Sequence, residues 1–340
     1  MEEIVCKRKK DYSQKAERFR LLKYPYQFRS LLRLNPLILN YHINKPIYFN
    51  FQIPKKSGSK RNILSPNESL KKIQVSLNNY LQAMYYYTKP KCVHGFVYNP
   101  YSGQQKTYIV SNAQPHCNKK YLLNMDIKDF FPSITAKQVK EALMSEPFNM
   151  SNEIAVIIAL LGTYKKALPT GAPTSPILSN IVCLNMDKEL EEFCVKHEIT
   201  FTRYADDLSF SSNNRIENET ISAMKEIIHG FGFSLNEKKF RLVTSKGKQV
   251  VTGLVVNKKV NVDRKYIRNL RAILYSWEKM GVELAAAKHF GATDLASVNI
   301  HKFIRRIAGK IEFVGQVRGR DDGLYLRFIY KFHTSLRSKD

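Results

Sequence analysis

Tyr204-Ala205-Asp206-Asp207 decides how this chain is read, because it lies between two alternating segments, Ile199-Thr200-Phe201-Thr202-Arg203 and Leu208-Ser209-Phe210-Ser211. Apolar and polar residues alternate with period two on both sides, so both segments read as short strands and the acid pair falls at the reversal between them. Two acids at a hairpin tip repel each other and add nothing to a core. A hard divalent cation offsets that repulsion, since Mg²⁺ takes oxygen ligands from one or two carboxylates together with substrate phosphates. The plainer reading of an Asp-Asp pair is a solvated turn, and the chain carries its own control. Asp321-Asp322, with Arg320 before it and Gly323 after it, has no flanking alternation and reads as an ordinary turn or helix start.

A third carboxylate strengthens the metal reading. Tyr121-Leu122-Leu123-Asn124-Met125-Asp126-Ile127 is a mostly apolar strand ending in an acid, followed by Lys128-Asp129-Phe130-Phe131-Pro132. An acid at the end of a buried strand is costly unless it is paired or metal-bound. Beside the Asp206-Asp207 turn, Asp126 completes a cluster suited to two Mg²⁺ ions. Two such ions, about 3.5–4 Å apart, stabilise the attacking and leaving oxygens of an in-line phosphoryl displacement, the chemistry of a nucleic-acid polymerase. Asp129 and Asp187 lack this context and are not expected as ligands.

The charge distribution agrees with a polyanionic partner. The 340 residues carry 55 Lys and Arg against 29 Asp and Glu, a net +26. Residues 1–72 hold +12 of this and residues 251–340 hold +10, leaving +4 for the middle that contains the candidate acids. Basic flanks around a metal centre suit a polyanion gripped on both sides. Cys6, Cys92, Cys117, Cys183 and Cys194 form no CxxC pair or zinc spacing and read as reduced thiols of a cytoplasmic protein. The longest apolar run, Ile154 to Leu161, is too short to span a bilayer, and the charged N-terminus has no signal core, so no membrane partner is expected.

Along the chain, residues 1–34 read as a basic helical arm broken at Pro25. Ile47 to Ile53 and Arg61 to Leu64 read as strands around a Lys55–Lys60 turn. Asn67 or Ser69 caps a helix to about Tyr87, Val93 to Gly103 is loop-like, and Thr135 with Gln138 fits a capping box. Further helices are expected from Ser151 to Leu161, Ser175 to Val195 and Asn218 to Phe231. A hairpin follows around Asn257-Lys258-Lys259. From Asp263 the pattern is helical, with Phe303, Ile304, Ile307, Ile311 and Val314 on one face. The fold class is α+β, ending in a helical basic region.

Five stretches in order carry a family resemblance. Asp126 with Phe130-Phe131, Leu168-Pro169-Thr170-Gly171-Ala172-Pro173-Thr174-Ser175-Pro176, and Tyr204-Ala205-Asp206-Asp207 stand as they do in reverse transcriptases. Asn112-Ala113-Gln114-Pro115-His116 resembles the NAxxH motif of retron reverse transcriptases, and Val251-Thr252-Gly253 their VTG motif. The likeness runs from about Arg61 to Val262 and continues more weakly through the basic C-terminal region. It implies a right-hand polymerase fold: an N-terminal arm at 1–34, fingers with part of the palm at 35–120, palm at 121–255 and a helical thumb or RNA-binding region at 256–340. It further implies an RNA-directed DNA polymerase that copies part of its own structured noncoding RNA, starting from an internal guanosine 2′-OH. The branched RNA–DNA product would serve in defence against phage.

The resemblance also assigns roles. Asp126 and Asp206 are the expected bridging ligands of two Mg²⁺ ions, and Asp207 completes the triad. Lys60 and Arg61 are expected to meet the triphosphate of an incoming deoxynucleotide. Phe131 takes the place of a steric gate against a ribose 2′-OH, with Phe130 turned into the core because neighbours on an extended chain face opposite ways. Gly171-Ala172-Pro173 allows close backbone approach to nucleotide or template. Thr170 stands where the family more often has Gln, which removes the usual amide. Lys239, or Lys238 beside it, is the candidate for protonating pyrophosphate. Asn112 and His116, four apart, share a helical face and either contact the RNA or support what does. Val251-Thr252-Gly253 reads as RNA recognition or as a strand ending in a bulge. Arg305 and Arg306, with Lys310, point to phosphates. Expected partners are the cognate RNA and its RNA–DNA product, a host RNase H that removes template, and a defence effector protein. The competing readings are a group II intron-like or abortive-infection reverse transcriptase, and a catalytically silent RNA-binding scaffold. Three clustered acids count against the scaffold.

Overall fold

A computed structural model describes residues 2–54, 58, 60–100 and 107–337, with the backbone alone at 2–10 and 296. The expected turn residues Lys55–Ser57 and Ser59, and the loop residues from Tyr101 to Lys106, lie outside these. The chain divides into two units: residues 1–112 with 120–243, and residues 113–119 with 244–340.

The first unit begins with α1 (Glu2–Arg20), α2 (Pro25–Leu32) and α3 (Pro36–Asn44). Pro25 and Pro36 each open a helix, where a missing N–H costs nothing. Phe19, Leu22, Phe28 and Leu32 join the main core, and Phe19 stacks on Tyr80 at 5.3 Å, so the N-terminal helices are packed against the unit. A hairpin follows, β1 (Tyr48–Pro54) with β2 (Lys60–Pro66), and it is largely exposed. Asn67 then caps α4 (Glu68–Tyr86) through the Leu70 N–H.

The larger part of this core comes next. It comprises α5 (Ile109–Ala113), β3 (Tyr121–Asp126), α6 (Phe130–Ser133), α7 (Ala136–Met144), α8 (Asn152–Gly162), α9 (Ser175–Val182), α10 (Leu184–Lys196), β4 (Thr200–Tyr204), β5 (Asp207–Ser212), α11 (Asn218–Gly230) and β6 (Arg241–Thr244). The sheet order is β4-β5-β3-β6. Leu122, Leu123, Met125, Leu208 and Phe210 are buried, and Phe201 stacks on its cross-strand partner Phe210 at 4.9 Å. Ser209, Ser211, Thr202 and Arg203 are buried too, so the alternation marks the strands without marking a wet face. The Thr135–Gln138 capping box forms as expected. The single helix expected over Ser175 to Val195 is instead two, turning at Cys183. That turn lets Ile177, Leu178 and Ile181 on α9 and Leu184, Met186 and Leu190 on α10 all be buried.

The second unit holds a small hairpin, β7 (Val250–Val251) with β8 (Leu254–Val255), and three helices, α12 (Arg264–Phe290), α13 (Ile300–Arg318) and α14 (Gly323–Arg337), which pack on one another. Its core includes Leu270, Leu274, Trp277, Phe303, Ile307, Ile311, Phe328 and Phe332. Val251-Thr252-Gly253 is not a strand ending in a bulge. Thr252 and Gly253 are the two turn residues of the hairpin, both at positive φ (46° and 81°), as a primed turn requires. The return expected around Asn257-Lys258-Lys259 is also present, as a bridge between Val255 and Asn261. Among the described residues no helix is long and apolar enough to cross a membrane.

Candidate active site

The register places the acids. Tyr204 pairs with Asp207 across β4 and β5, leaving Ala205 and Asp206 as a two-residue turn, and Asp207 also pairs with Asp126 at the end of β3. The turn backbone is pinned at both carbonyls. The Ala205 oxygen accepts from Arg203 Nη1 at 3.1 Å, and the Asp206 oxygen accepts from the Ile127 N–H at 3.0 Å. Ala205 holds φ at 59°, a region an alanine enters only when its surroundings impose it.

What imposes it is buried below. Arg203 and Asp187 are both fully buried and meet in a two-pronged ion pair, Nε to Oδ1 and Nη2 to Oδ2, each 2.6 Å. Burial disfavours the charge on Arg203, but Asp187 outweighs it and holds the guanidinium firmly cationic. On the other side lies Cys92-Val93-His94-Gly95-Phe96. Arg203 donates its N–H to the Cys92 carbonyl, and His94 donates to the Arg203 carbonyl. A Cβ on Gly95 would stand 2.6 Å from the Ala205 nitrogen, so only glycine lets the two backbones touch.

The acids are poorly compensated. Burial raises Asp206, with the Asp126 charge adding to it, while Lys239 and Arg61 work the other way. Asp207 is pushed up to about 6 by desolvation and then by Asp206 and Asp126, although its side chain is exposed to water at the turn. Lys239 Nζ lies 2.6 Å from Asp126 Oδ2. Burial lowers the Lys239 ammonium, but the Asp126 hydrogen bond and the three acids outweigh it and hold it above its ordinary value. Of the two candidate lysines, Lys239 is the one ion-paired to an acid. Asn236 adds a 3.4 Å contact to Asp126 Oδ1.

These groups face a cavity of about 890 Å³, walled by Lys60, Arg61, Phe96, Asp126, Phe131, Thr170, Asp206 and Lys239 among others. Asp207 is not among its walls. Among the described residues no group of three or more His, Cys, Asp or Glu side chains converges as a ready-made metal cage. The donor set nevertheless suits Mg²⁺, which takes one or two carboxylates and leaves its other positions to water and substrate phosphates. A cation would also relieve the like-charge crowding that raises Asp206 and Asp207.

Several expected residues sit differently from the sequence reading. Phe130 and Phe131 lie on a helical turn, not an extended chain, so alternation is not what separates them. Phe130 is nonetheless buried, 6.1 Å from Phe233, and Phe131 is half-buried at the cavity. The close approach at Gly171 is to the protein itself, since a Cβ there would meet Ile63 and the Leu64 carbonyl at 2.8 Å; Ala172 is buried. Asn112 and His116 do not share a helical face. α5 gives way to a 3-10 turn between them, and both side chains are fully buried, so of the two readings the supporting one fits the burial. Arg305 and Arg306 are exposed on α13, with Arg306 5.9 Å over the Phe290 ring. Sequence reasoning passed over Asp187, Arg203, Gly95 and Phe96. The available signal was weak: Asp187 stands on the apolar side of a charged helix, beside Met186 and three residues before Leu190, and Arg203 ends the alternation of β4.

Comparison with known proteins points one way. A family model described as reverse transcriptase (RNA-dependent DNA polymerase) matches residues 53–266. The Retron Mx162 reverse transcriptase of Myxococcus xanthus is 31% identical over 268 residues, covering 68% of this chain and 53% of the relative. The Retron Mx65 reverse transcriptase of the same organism is also 31% identical, and the chain spans 59% of its length. The Retron Ec86 reverse transcriptase of Escherichia coli is 31% identical over 235 residues, covering 67% of this chain and 69% of the relative. Among solved structures, a telomerase from Candida albicans in complex with a fragment of telomeric RNA aligns with TM-score 0.50 at 11% identity, over 92% of this chain and 68% of the other. That likeness concerns the fold alone, and it agrees with a right-hand polymerase fold.

Proposed function

Because the chain belongs to the retron-type reverse transcriptases, we propose that it is an RNA-directed DNA polymerase acting on its own structured noncoding RNA. The observation that carries this is the pairing of Asp126 with Asp207 beside the pinned Ala205-Asp206 turn. Asp126 and Asp206, with Asp207 next to them, would hold divalent metal, and two Mg²⁺ ions are expected. Bound there, they supply charge stabilisation to the attacking and leaving oxygens of an in-line displacement. The side chains of Arg61 and Lys60 face the same cavity and meet the triphosphate of a deoxynucleotide. Phe131 excludes a ribose hydroxyl. Lys239, held protonated, gives its proton to departing pyrophosphate. Gly171 and Ala172 shape the wall by seating the β2 strand.

On this reading the regions at 1–34, 35–120, 121–255 and 256–340 serve as N-terminal extension, fingers, palm and thumb. Arg305 and Arg306 grip backbone phosphates. The Thr252-Gly253 turn, set on buried Val251, distinguishes the cognate RNA, while buried Asn112 and His116 support the fold rather than touching the RNA. Synthesis begins at an internal guanosine 2′-OH in the cytoplasm. The branched product passes to host RNase H and, in anti-phage defence, to an effector protein.

Sequencing the nucleic acid that copurifies with the full chain tests this. A DNA strand joined through a 2′ branch to RNA is the expected product, lost in Asp206→Asn. Linear DNA alone would end the retron reading. Substituting both Arg305 and Arg306 by Ala should weaken binding to any primer–template and flatten its salt dependence. Changes at Thr252-Gly253, Asn112 or His116 should impair initiation on the cognate RNA more than extension of an annealed primer.

A further inference from the structure

Phe96 is a bulky residue in a place that disfavours it. Its φ is 60°, left-handed backbone that a phenylalanine adopts only under constraint. Three side-chain-to-backbone hydrogen bonds supply the constraint. Buried Asn180 donates from Nδ2 to the Gly95 carbonyl at 3.0 Å. Gln82 donates from Nε2 to the Phe96 carbonyl and accepts the Tyr98 N–H on Oε1, both at 3.0 Å. The loop is thus fixed on either side of the strained residue while Gly95 presses against the catalytic turn. Strain of this kind persists where the surroundings over-determine it, and it gathers at functional sites.

The ring lands in the cavity. It stacks on Phe131 with centroids 5.9 Å apart and planes 29° apart, and its centroid is 6.5 Å from that of Tyr204. Phe131 is half-buried, and its only other ring neighbour among the described residues is Phe130 at 5.5 Å. A half-buried ring retains rotamer freedom unless a second surface limits it. Phe96 is that surface on the cavity side.

We propose that Phe96, clamped by Gln82, is a specificity-determining residue: its ring fixes the orientation of Phe131 and so sets how strictly a deoxyribose is preferred over a ribose. This rests on the reading of Phe131 as the sugar gate. Phe96 acts through Phe131 and takes no part in the metal chemistry.

The test uses the full chain on an annealed primer–template, measuring single-nucleotide incorporation efficiency with each deoxynucleoside triphosphate and its ribonucleoside counterpart. Phe96→Gly removes the ring while accepting the positive φ without strain. It should raise the ribo-to-deoxy efficiency ratio roughly three- to tenfold, the span that the strength of an aromatic pair allows. Gln82→Met, which leaves both rings in place but releases the loop, should move the ratio in the same direction by less. A ratio within about twofold of wild type in Phe96→Gly overturns the proposal; if that variant does not fold, a Gln82→Met ratio indistinguishable from wild type overturns it. Phe131→Ala, run alongside, separates the two ideas. A shift there with none in Phe96→Gly removes only the role of Phe96, whereas no shift in Phe131→Ala removes the gate itself.

Discussion

Asp206-Asp207 and Asp321-Asp322 are the same dipeptide with opposite charge balances. Asp322 accepts both prongs of the Arg318 guanidinium at 2.8 Å, and its Oδ1 also takes the Leu324 and Tyr325 N–H groups, so it caps α14. The hydrogen bond from Arg318, ahead of the opposing effect of burial, holds its carboxyl below the usual range. Asp206 and Asp207 accept no such fork. The one fork near them, from Arg203, is spent on Asp187 beneath the turn. A compensated carboxylate organises its own chain, and an uncompensated pair on a rigid turn is poised for an external cation. The difference lies in what each pair is given as a partner, since the dipeptide itself is common to both.

The largest effect that could break this contrast is on catalysis. Asp126→Asn or Asp206→Asn should cut deoxynucleotide incorporation by at least about a thousandfold with folding largely intact, because cation binding is lost, together with the Lys239 ion pair in Asp126→Asn. Asp322→Asn should leave incorporation per folded molecule within a few-fold of wild type. Substantial synthesis by Asp206→Asn would remove the distinction between the pairs.

Next comes the scaffold under the turn. Asp187→Asn strands a fully buried guanidinium and should cost about 3–5 kcal/mol in denaturant unfolding. Arg203→Lys keeps a charge but cannot hold Asp187 in a fork and Ala205 at once, so its surviving activity should require more Mg²⁺. An unchanged Mg²⁺ requirement would show that the pair stabilises without positioning.

Breaking the compensated pair should cost less. Asp322→Asn weakens the Arg318 bonds and the start of α14, about 1–3 kcal/mol at neutral pH. Its carboxyl is depressed in the fold, so that contribution is present above the unfolded pKa and disappears as pH falls through the folded one. The wild-type advantage over Asp322→Asn should therefore hold at pH 7 and fade in acid below about 4.

The smallest effect has the opposite sign and sharpens the contrast most. Asp207 has a raised folded pKa of about 6, so its ionised form opposes folding at pH 7 and the penalty is relieved as pH falls through 6 toward the unfolded value. Metal-free Asp207→Asn should be more stable than wild type at pH 7. This carboxylate is exposed and screened, so the gain should be on the order of 1 kcal/mol, about 2–4 °C in thermal midpoint. The gain should vanish near pH 4, and Mg²⁺ should stabilise the wild type more than the variant. A destabilised Asp207→Asn at neutral pH would place Asp207 with Asp322 as a structural acid.

The acids and their strands were legible because their signals are local. Alternation over five residues gives β4 and β5, and the Asn67, Thr135 and Asp263 caps are written within three residues of the N–H groups they satisfy. A turn between two strands fixes which residues sit at its tip, and the end of β3 fixes Asp126. The sequence also placed one Asp-Asp pair between strands and the other at a helix start, as the structure has them.

Other features depended on residues far apart in the chain. Gly95 touches Ala205 across 110 positions, and Lys239 reaches Asp126 across 113. Asp187 stands 16 residues from Arg203, on a different kind of element, and was dismissed for want of local context. Periodicity reports which residues share a face and caps report where elements end, but neither reports which buried charge meets which. The sequence alone thus determined the family, the strand-turn-strand motif and its acids. Only the tertiary structure decided that the turn is pinned from beneath, that Asn112 and His116 are buried, and that Phe96 lies on Phe131. Charge compensation and close backbone approach are properties of the packed arrangement, not of any segment within it.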